Sequence, residues 1–143
     1  MLKKALIPAA GRGARLDRPN TPKPLVTVGG NPLLMGVLKQ LETAGVEETV
    51  VVVGYEGKKI VRALTNHPEL EMTVTFVDHK NWEEGLASSI LAGRDHLDDE
   101  PFALAMADHV YDQELIERLF AEEFGDELGV MVVDRDIKGV YDR

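Results

Sequence analysis

Residues 3–16 read KKALIPAAGRGARL, and this stretch decides the fold. The apolar run at residues 3–8 is short and predicts a buried strand. The segment 9–24 contains two glycines and three prolines, too many for a regular helix or strand. The stretch therefore predicts a strand that leads directly into a long, glycine-rich loop.

The chain beyond this loop alternates predicted helices with short apolar strands. Asn31 is predicted to cap a helix that has Pro32 at its first position and ends before Gly45. Further strands are predicted at residues 49–53, 72–77, 102–106 and 128–133, and further helices at 56–64, 86–97 and 113–120. Strands that alternate with helices of about ten residues predict an α/β fold with a mostly parallel sheet between helical layers.

The composition limits the class of protein. The chain has 143 residues, the size of one domain (residues 1–143), and its 25 acidic and 16 basic residues give a net charge of −9, which disfavours binding to nucleic acid. No apolar run approaches the roughly 20 residues of a membrane helix, and there is no cysteine for a disulfide or thiolate site. We expect a cytoplasmic protein without a membrane segment and without a nucleic-acid partner.

The loop after the first strand has the chemistry of a phosphate-binding loop. Gly11 and Gly13 allow backbone N–H groups to approach phosphate oxygens, while Arg12, Arg15 and Lys23 add positive charge. The alternative is a tight strand exit whose arginines are merely solvated. The candidate nucleotide-binding residues of this loop are Ala9, Ala10, Gly11, Arg12 and Gly13, where the two alanines leave room for a flat base.

Two common phosphate-binding motifs do not fit. A dinucleotide fingerprint needs glycine where Leu16 stands and an acidic residue where Gly54 stands. A P-loop needs four residues between its glycines, and the segment 54–59, GYEGKK, has two. Hydride transfer and P-loop phosphoryl transfer are therefore disfavoured.

The same loop resembles a known signature. The sequences LIPAAGRGARL at 6–16, PKPL at 22–25 and VGGNPLL at 28–34 resemble the nucleotidyltransferases that make nucleoside diphosphate sugars and alcohols. This resemblance implies the three-layer, Rossmann-like sandwich of nucleotide-diphospho-sugar transferases. It also implies a loop wrapped around a triphosphate, with Arg15 and Lys23 as catalytic residues on phosphate oxygens and Mg2+ as cofactor.

Two later segments resemble particular branches of that superfamily. NWEEGLASSI at 81–90 is similar to the base-and-ribose segment of molybdenum-cofactor cytidylyltransferases, which implies nucleoside contacts from Gly85 and from Ser88 or Ser89. AMADHVY at 105–111 is similar to the metal-binding turn of inositol-1-phosphate cytidylyltransferases, except that Ala107 stands where glycine is usual.

Asp108 is the candidate magnesium ligand on independent grounds. It follows a buried strand at the carboxyl end, where ligands gather, and magnesium beside a triphosphate takes one or two carboxylates. The alternative is a helix cap, for which Asp112 is better placed because a helix is predicted from Gln113. Asp134 or Asp136 comes next as metal ligand if Asp108 is structural.

We expect transfer of a nucleotidyl group, with CTP favoured, to a phosphorylated sugar or alcohol such as inositol 1-phosphate, with release of pyrophosphate. The alternatives are a molybdopterin-type or other sugar-phosphate nucleotidyltransferase, a nucleotide-binding module without catalysis, and a protein-binding domain without a nucleotide site. The sequence leaves a homodimer open. Because it stops at Arg143 soon after the last predicted strand, we expect the fold to be C-terminally incomplete, with most of the acceptor pocket outside this chain.

Overall fold

The computed structural model describes residues 2–13, 20–123, 125–126 and 129–132. The strands are β1 (Lys4–Ala9), β2 (Thr27–Val28), β3 (Asn31–Pro32), β4 (Glu48–Val53), β5 (Thr73–Asp78) and β6 (Phe102–Leu104). The α-helices are α1 (Leu33–Thr43), α2 (Gly57–Leu64), α3 (Leu86–Arg94) and α4 (Gln113–Ala121). Short 3-10 helices lie at Lys23–Leu25 and Trp82–Glu84.

The described strands form a four-stranded parallel sheet between two layers of helices. Its order is β5–β4–β1–β6, and every neighbouring pair is parallel. Apolar residues of α1, α2 and α4 form one core against the sheet, and α3 contributes to a second core on the opposite face. This arrangement confirms the predicted α/β sandwich. No helix in the described part of the chain is both long and apolar enough to cross a membrane.

The strand order places a crevice beside the end of β1. From β1 the chain moves to β4 and β5 on one side and then returns to β6 on the other side. The strand order therefore reverses at β1, which lies between β4 and β6. Open parallel sheets bind ligands at such a point.

The predicted start of the first helix is wrong. Helix α1 begins at Leu33, and Asn31 and Pro32 instead pair with β2 as the second strand of a small antiparallel hairpin. Gly29 (φ 61°) and Gly30 (φ 89°) form its two-residue turn, which needs two positive φ angles and so suits glycine. Asn31 is used by the hairpin and does not cap the helix.

Three other predicted elements are shorter or absent. Helix α3 ends at Arg94, where turn hydrogen bonds replace the helical ones: the His96 N–H donates to the Gly93 carbonyl at 3.1 Å and the Leu97 N–H to the Arg94 carbonyl at 3.0 Å. Strand β6 ends at Leu104. Residues 129–132 are not in a strand, and the ends of the strand predicted at 128–133 lie outside the described residues.

The contact of α3 with the sheet gives a stability prediction. A Cβ added at Gly93 would lie 2.3 Å from Leu6 Cδ1 and 2.9 Å from Val52 Cγ2, both in the core. We expect Gly93→Ala to lower the free energy of unfolding by about 1–3 kcal/mol, as overpacking does. Gly36→Ala on α1, where nothing lies within 4 Å, is the matched control and should raise it by about 0.4–1 kcal/mol. Urea denaturation measures both, and a Gly93→Ala midpoint equal to that of the parent would contradict the packing argument.

Candidate active site

A cavity of about 250 Å³ opens at the carboxyl ends of β1 and β6. Complete small-molecule sites usually measure roughly 300–1,000 Å³, so this cavity is slightly smaller than a complete site of that kind. Its lining residues come from the loop after β1, the start of α3 and the turn after β6. They are Pro8, Ala9, Ala10, Gly11, Gly13, Lys23, Pro24, Trp82, Gly85, Leu86, Ser89, Met106, Ala107 and Asp108.

An ion pair joins two walls of the cavity. The Lys23 ammonium donates to Asp108 Oδ2 at 2.5 Å, and His109 Nδ1 lies 2.8 Å from Asp108 Oδ1. Burial raises the pKa of the Asp108 carboxyl, but the hydrogen bonds and charges of Lys23 and His109 outweigh burial, so its pKa lies below the ordinary value of 3.8. Asp108 is therefore a carboxylate across the neutral range.

The loop backbone directs Lys23 into this pair. Gly13 has a φ of 62°, and a Cβ on it would lie 2.9 Å from the Lys23 Cβ, so the lysine stem passes directly over the glycine. The N–H of Leu25 donates to the Pro22 carbonyl at 2.9 Å, and the N–H of Val26 donates to the Lys23 carbonyl at 3.0 Å. Glycine at 13 and this 3-10 turn together fix where the lysine side chain starts.

Tyr111 and Gln40 hold the turn that carries Asp108. The Tyr111 hydroxyl accepts a hydrogen bond from the Met106 N–H at 2.7 Å. The Gln40 amide, on α1, donates to the Tyr111 carbonyl at 2.5 Å, and its oxygen accepts from the Tyr111 N–H at 3.4 Å. The His109 ring stacks on the Tyr111 ring with centroids 5.8 Å apart. The turn is thus fixed to α1 and to the end of β6.

The two serines of α3 have different environments. Ser89 is 4% exposed and lines the cavity one turn after Gly85, whose φ of 100° begins the helix. Ser88 points elsewhere, since its hydroxyl lies 2.6 Å from His79 Nε2 and donates to Glu84 at 3.2 Å. Of the two candidate nucleoside contacts, only Ser89 faces the cavity.

An aromatic group forms one side of the cavity. Trp82 lies against Gly54, where a Cβ would be 2.6 Å from the Trp82 Cβ. The Trp82 ring meets the Tyr55 ring edge to face with centroids 5.7 Å apart, and the Arg12 guanidinium lies 5.9 Å from the Tyr55 ring centroid. Arg12 is exposed on this aromatic group and does not line the cavity.

The structure places most of the predicted site residues around one cavity. Lining the cavity are Ala9, Ala10, Gly11, Gly13, Lys23, Gly85, Ser89 and Asp108. Arg12 and Ser88 lie beside it, and Arg15, Asp134 and Asp136 lie outside the described residues. Asp112 caps the helix, since its Oδ1 accepts a hydrogen bond from the Leu115 N–H at 3.0 Å. The alternative role of Asp108 as that cap is therefore excluded.

Sequence reasoning missed the residues that support the site. Gln40, His79 and Tyr111 were not assigned roles, and neither was Trp82, which both lines the cavity and packs against Gly54. Gly54 directly after β4 was the available signal for Trp82, because glycine in that position admits a close neighbour. Gln40 carried no comparable signal.

The donor set limits the kind of metal site that fits here. Among the described residues, no three His, Asp or Glu side chains come together in a group that could hold a metal ion by themselves. Asp108 is the one carboxylate among the described residues that line the cavity. Magnesium often takes one or two carboxylates and completes its shell with substrate phosphates and water. Asp108 therefore fits magnesium held jointly with a triphosphate.

The fold is that of a Rossmann-like α/β domain, and its cavity lies beside a glycine-rich loop that follows the first strand. The chain belongs to the family of MobA-like NTP transferase domains, which it matches over residues 5–139.

Two of the similar proteins are enzymes with different names. The chain is 37% identical over 115 residues to a UTP–glucose-1-phosphate uridylyltransferase, AglF, of Haloferax volcanii, covering 78% of this chain and 46% of that protein. It is 37% identical over 117 residues to a bifunctional IPC transferase and DIPP synthase of Archaeoglobus fulgidus, covering 82% of this chain and 22% of that protein.

A solved structure shares the fold. The inositol-1-phosphate CTP transferase of T. maritima superimposes with a TM-score of 0.71 at 26% identity, over 86% of this chain and 50% of that one. The chain therefore spans half or less of the length of these three proteins.

Proposed function

We propose that this chain is the nucleotide-binding part of a cytoplasmic nucleotidyltransferase that transfers a nucleotidyl group from a nucleoside triphosphate to a phosphorylated sugar or alcohol. The observation that carries this proposal is the meeting of Lys23 and Asp108, one cation and one carboxylate, in a cavity bounded by a glycine-rich loop. Family membership and the names of the relatives support the same reaction class.

The proposed reaction is a single in-line displacement. An oxygen of the acceptor phosphate forms a bond to the α-phosphorus, and the bond from that phosphorus to the bridging oxygen of the β-phosphate breaks. The electron pair leaves with pyrophosphate. The task of the protein is to position two anions and stabilise the charge that develops on the leaving group.

The glycine-rich loop and Lys23 supply that stabilisation. Gly11, Gly13 and Lys23 line the cavity. In this proposal the backbone N–H groups of the two glycines bind phosphate oxygens, and the Lys23 ammonium neutralises the region of the α-phosphate. Arg12 moves from the Tyr55 ring to the β- and γ-phosphates, where Arg15 assists it. Asp108 would hold Mg2+, which would neutralise charge on the phosphates.

Cytidine and inositol 1-phosphate are the favoured substrates within this proposal. The support is the similarity of residues 105–111 to the inositol-1-phosphate branch, the IPC transferase relative and the CTP transferase structure. UTP and glucose 1-phosphate are the second pair to test, because one relative is a UTP–glucose-1-phosphate uridylyltransferase.

The test is pyrophosphate release from each triphosphate with a panel of sugar and alcohol phosphates, with magnesium present. Turnover with one pair supports the proposal and names the substrates. Triphosphate binding without turnover on every acceptor supports instead a nucleotide-binding module. Absence of triphosphate binding would reject both.

The two serines of α3 give a prediction about the nucleoside. We expect Ser89→Ala to weaken triphosphate binding by about 0.5–1.5 kcal/mol, the usual worth of one hydrogen bond, which is roughly 2- to 10-fold in Kd. Ser88→Ala removes the contact with His79 outside the cavity, so it should lower the melting temperature and change Kd less. Isothermal titration calorimetry decides, and a larger Kd effect from Ser88→Ala would reverse the assignment.

A further inference from the structure

Both oxygens of the Asp108 carboxylate are already bound by protein donors. Lys23 holds Oδ2 at 2.5 Å and His109 holds Oδ1 at 2.8 Å. The side chains of Lys23 and Asp108 are 35% and 29% exposed, so their pair is partly shielded from water. A divalent cation that approaches Asp108 alone therefore meets the positive charge of the Lys23 ammonium on that carboxylate.

We propose that the Lys23 ammonium blocks the position at Asp108 where a divalent cation would bind, until a triphosphate draws the ammonium away. The chain then excludes a divalent cation on its own and accepts it together with the triphosphate. This inference rests on the proposed function for the triphosphate, but its first half concerns only the cation and these two side chains.

The geometry allows the lysine to leave without a change of fold. The Lys23 carbonyl is held by the Val26 N–H at 3.0 Å, so the backbone stays in place while the flexible four-carbon stem turns. The cavity between the loop and Asp108 is where the phosphates would lie, and it contains the Lys23 side chain. A small rotation therefore transfers the ammonium from one anion, Asp108, to another.

The charge balance drives the exchange. A triphosphate carries several negative charges, so it competes with a single carboxylate for the ammonium, and the freed Oδ2 is then open to the metal. Couplings between neighbouring ligands are typically about 5- to 150-fold and act equally in both directions. The chain thereby avoids a tightly held metal ion in the absence of nucleotide.

The decisive titration contains no nucleotide, because triphosphates chelate cations in solution by themselves. Mn2+ is titrated calorimetrically at neutral pH into the parent chain, Lys23→Met and Lys23→Arg. Methionine fills the volume of the stem without a charge, and arginine keeps a cationic donor for Asp108. We expect Lys23→Met to bind Mn2+ about tenfold or more tightly than the parent, within the usual range of coupling, and Lys23→Arg to bind as weakly as the parent.

Two controls test whether the gain in Mn2+ affinity depends on Lys23 and on Asp108. Lys58→Met removes a positive charge from an exposed position on α2 and should leave Mn2+ affinity as in the parent. Lys23→Met combined with Asp108→Asn should lose the gain. Equal Mn2+ affinity of Lys23→Met and the parent, or an equal gain from Lys58→Met, would overturn the inference.

A measurement on the unaltered chain covers the case in which Lys23→Met does not fold. Paramagnetic Mn2+ added alone should leave the amide resonances of residues 106–110 sharp, and broadening of them at low Mn2+ concentration would overturn the inference. Triphosphate binding is measured separately by calorimetry without metal. Failure of every triphosphate to bind rejects the proposed function and the release of Lys23, whereas the exclusion of Mn2+ by Lys23 is decided by the titrations alone.

Discussion

We expect the Lys23→Ala variant to transfer nucleotidyl groups at least about 10²-fold more slowly than the parent chain, as the loss of one preorganised contact to a developing charge typically does. Lys23 is the cation that the structure places inside the cavity, over Gly13 and against Asp108. Arg12 cannot replace it from its position on the Tyr55 ring without moving. Initial rates of pyrophosphate release, measured on the best substrate pair, give the factor.

Lys58→Ala is the matched control for that result. Lys58 is an exposed lysine of α2 and does not line the cavity, so the variant should react at the parental rate. Both variants should unfold at nearly the parental temperature, since partly exposed ion pairs contribute about 1 kcal/mol or less. A near-normal rate for Lys23→Ala with every acceptor would remove Lys23 from the mechanism.

The second large effect is expected at Asp108. Asparagine is nearly isosteric and still accepts a hydrogen bond from Lys23, but it lacks the charge that magnesium requires beside phosphates. We expect Asp108→Asn to reduce the rate by about 10²–10³ and to abolish the extra thermal stabilisation that magnesium with triphosphate gives the parent. Thermal melting at several magnesium concentrations checks whether mass action restores a weakened site.

Asp112→Asn provides the control for Asp108→Asn. It removes a carboxylate four positions further along, and asparagine keeps the cap that Asp112 gives to the Leu115 N–H. This variant should retain both activity and stability. If Asp108→Asn instead melted early but kept full magnesium-dependent activity, Asp108 would be structural, and Asp134 and Asp136 would be the next metal candidates.

The stability difference between the parent and Asp108→Asn should also depend on pH. The folded pKa of Asp108 lies below its ordinary value of 3.8, so its ion pair stabilises the fold above that pH and is lost as the pH falls through the folded pKa. The two melting temperatures should therefore converge in acid and differ most near neutrality. A difference that grew on acidification would contradict the lowered pKa.

The sheet was predictable because its central strands have an unambiguous pattern. Both β1 and β4 are buried apolar runs, and their bounds agree with the sequence prediction to within one residue. The start of α1 was not predictable in the same way. Asn31 and Pro32 suit a helix start locally, and only the pairing of β3 with β2 across a two-glycine turn reassigns them.

The parts of the site that depend on sheet topology were predictable from the sequence. The parts that depend on the direction of a side chain were not. Lys23 and Asp108 are 85 positions apart, yet both follow strands whose carboxyl ends lie together in a parallel sheet. The choice between Ser88 and Ser89 depends on the rotation of α3 about its axis. The hydrogen bond between Gln40 and Tyr111 joins residues 71 positions apart, and no sequence motif indicates it.

The packing of Trp82 on Gly54 has an optical consequence. Trp82 is the only tryptophan of the chain, and its half-buried indole lines the cavity within stacking distance of Tyr55. All indole emission of the protein therefore originates at one wall of the candidate site. Its wavelength and intensity report the polarity and occupancy of that cavity directly, without a dye, a label or an added reporter residue.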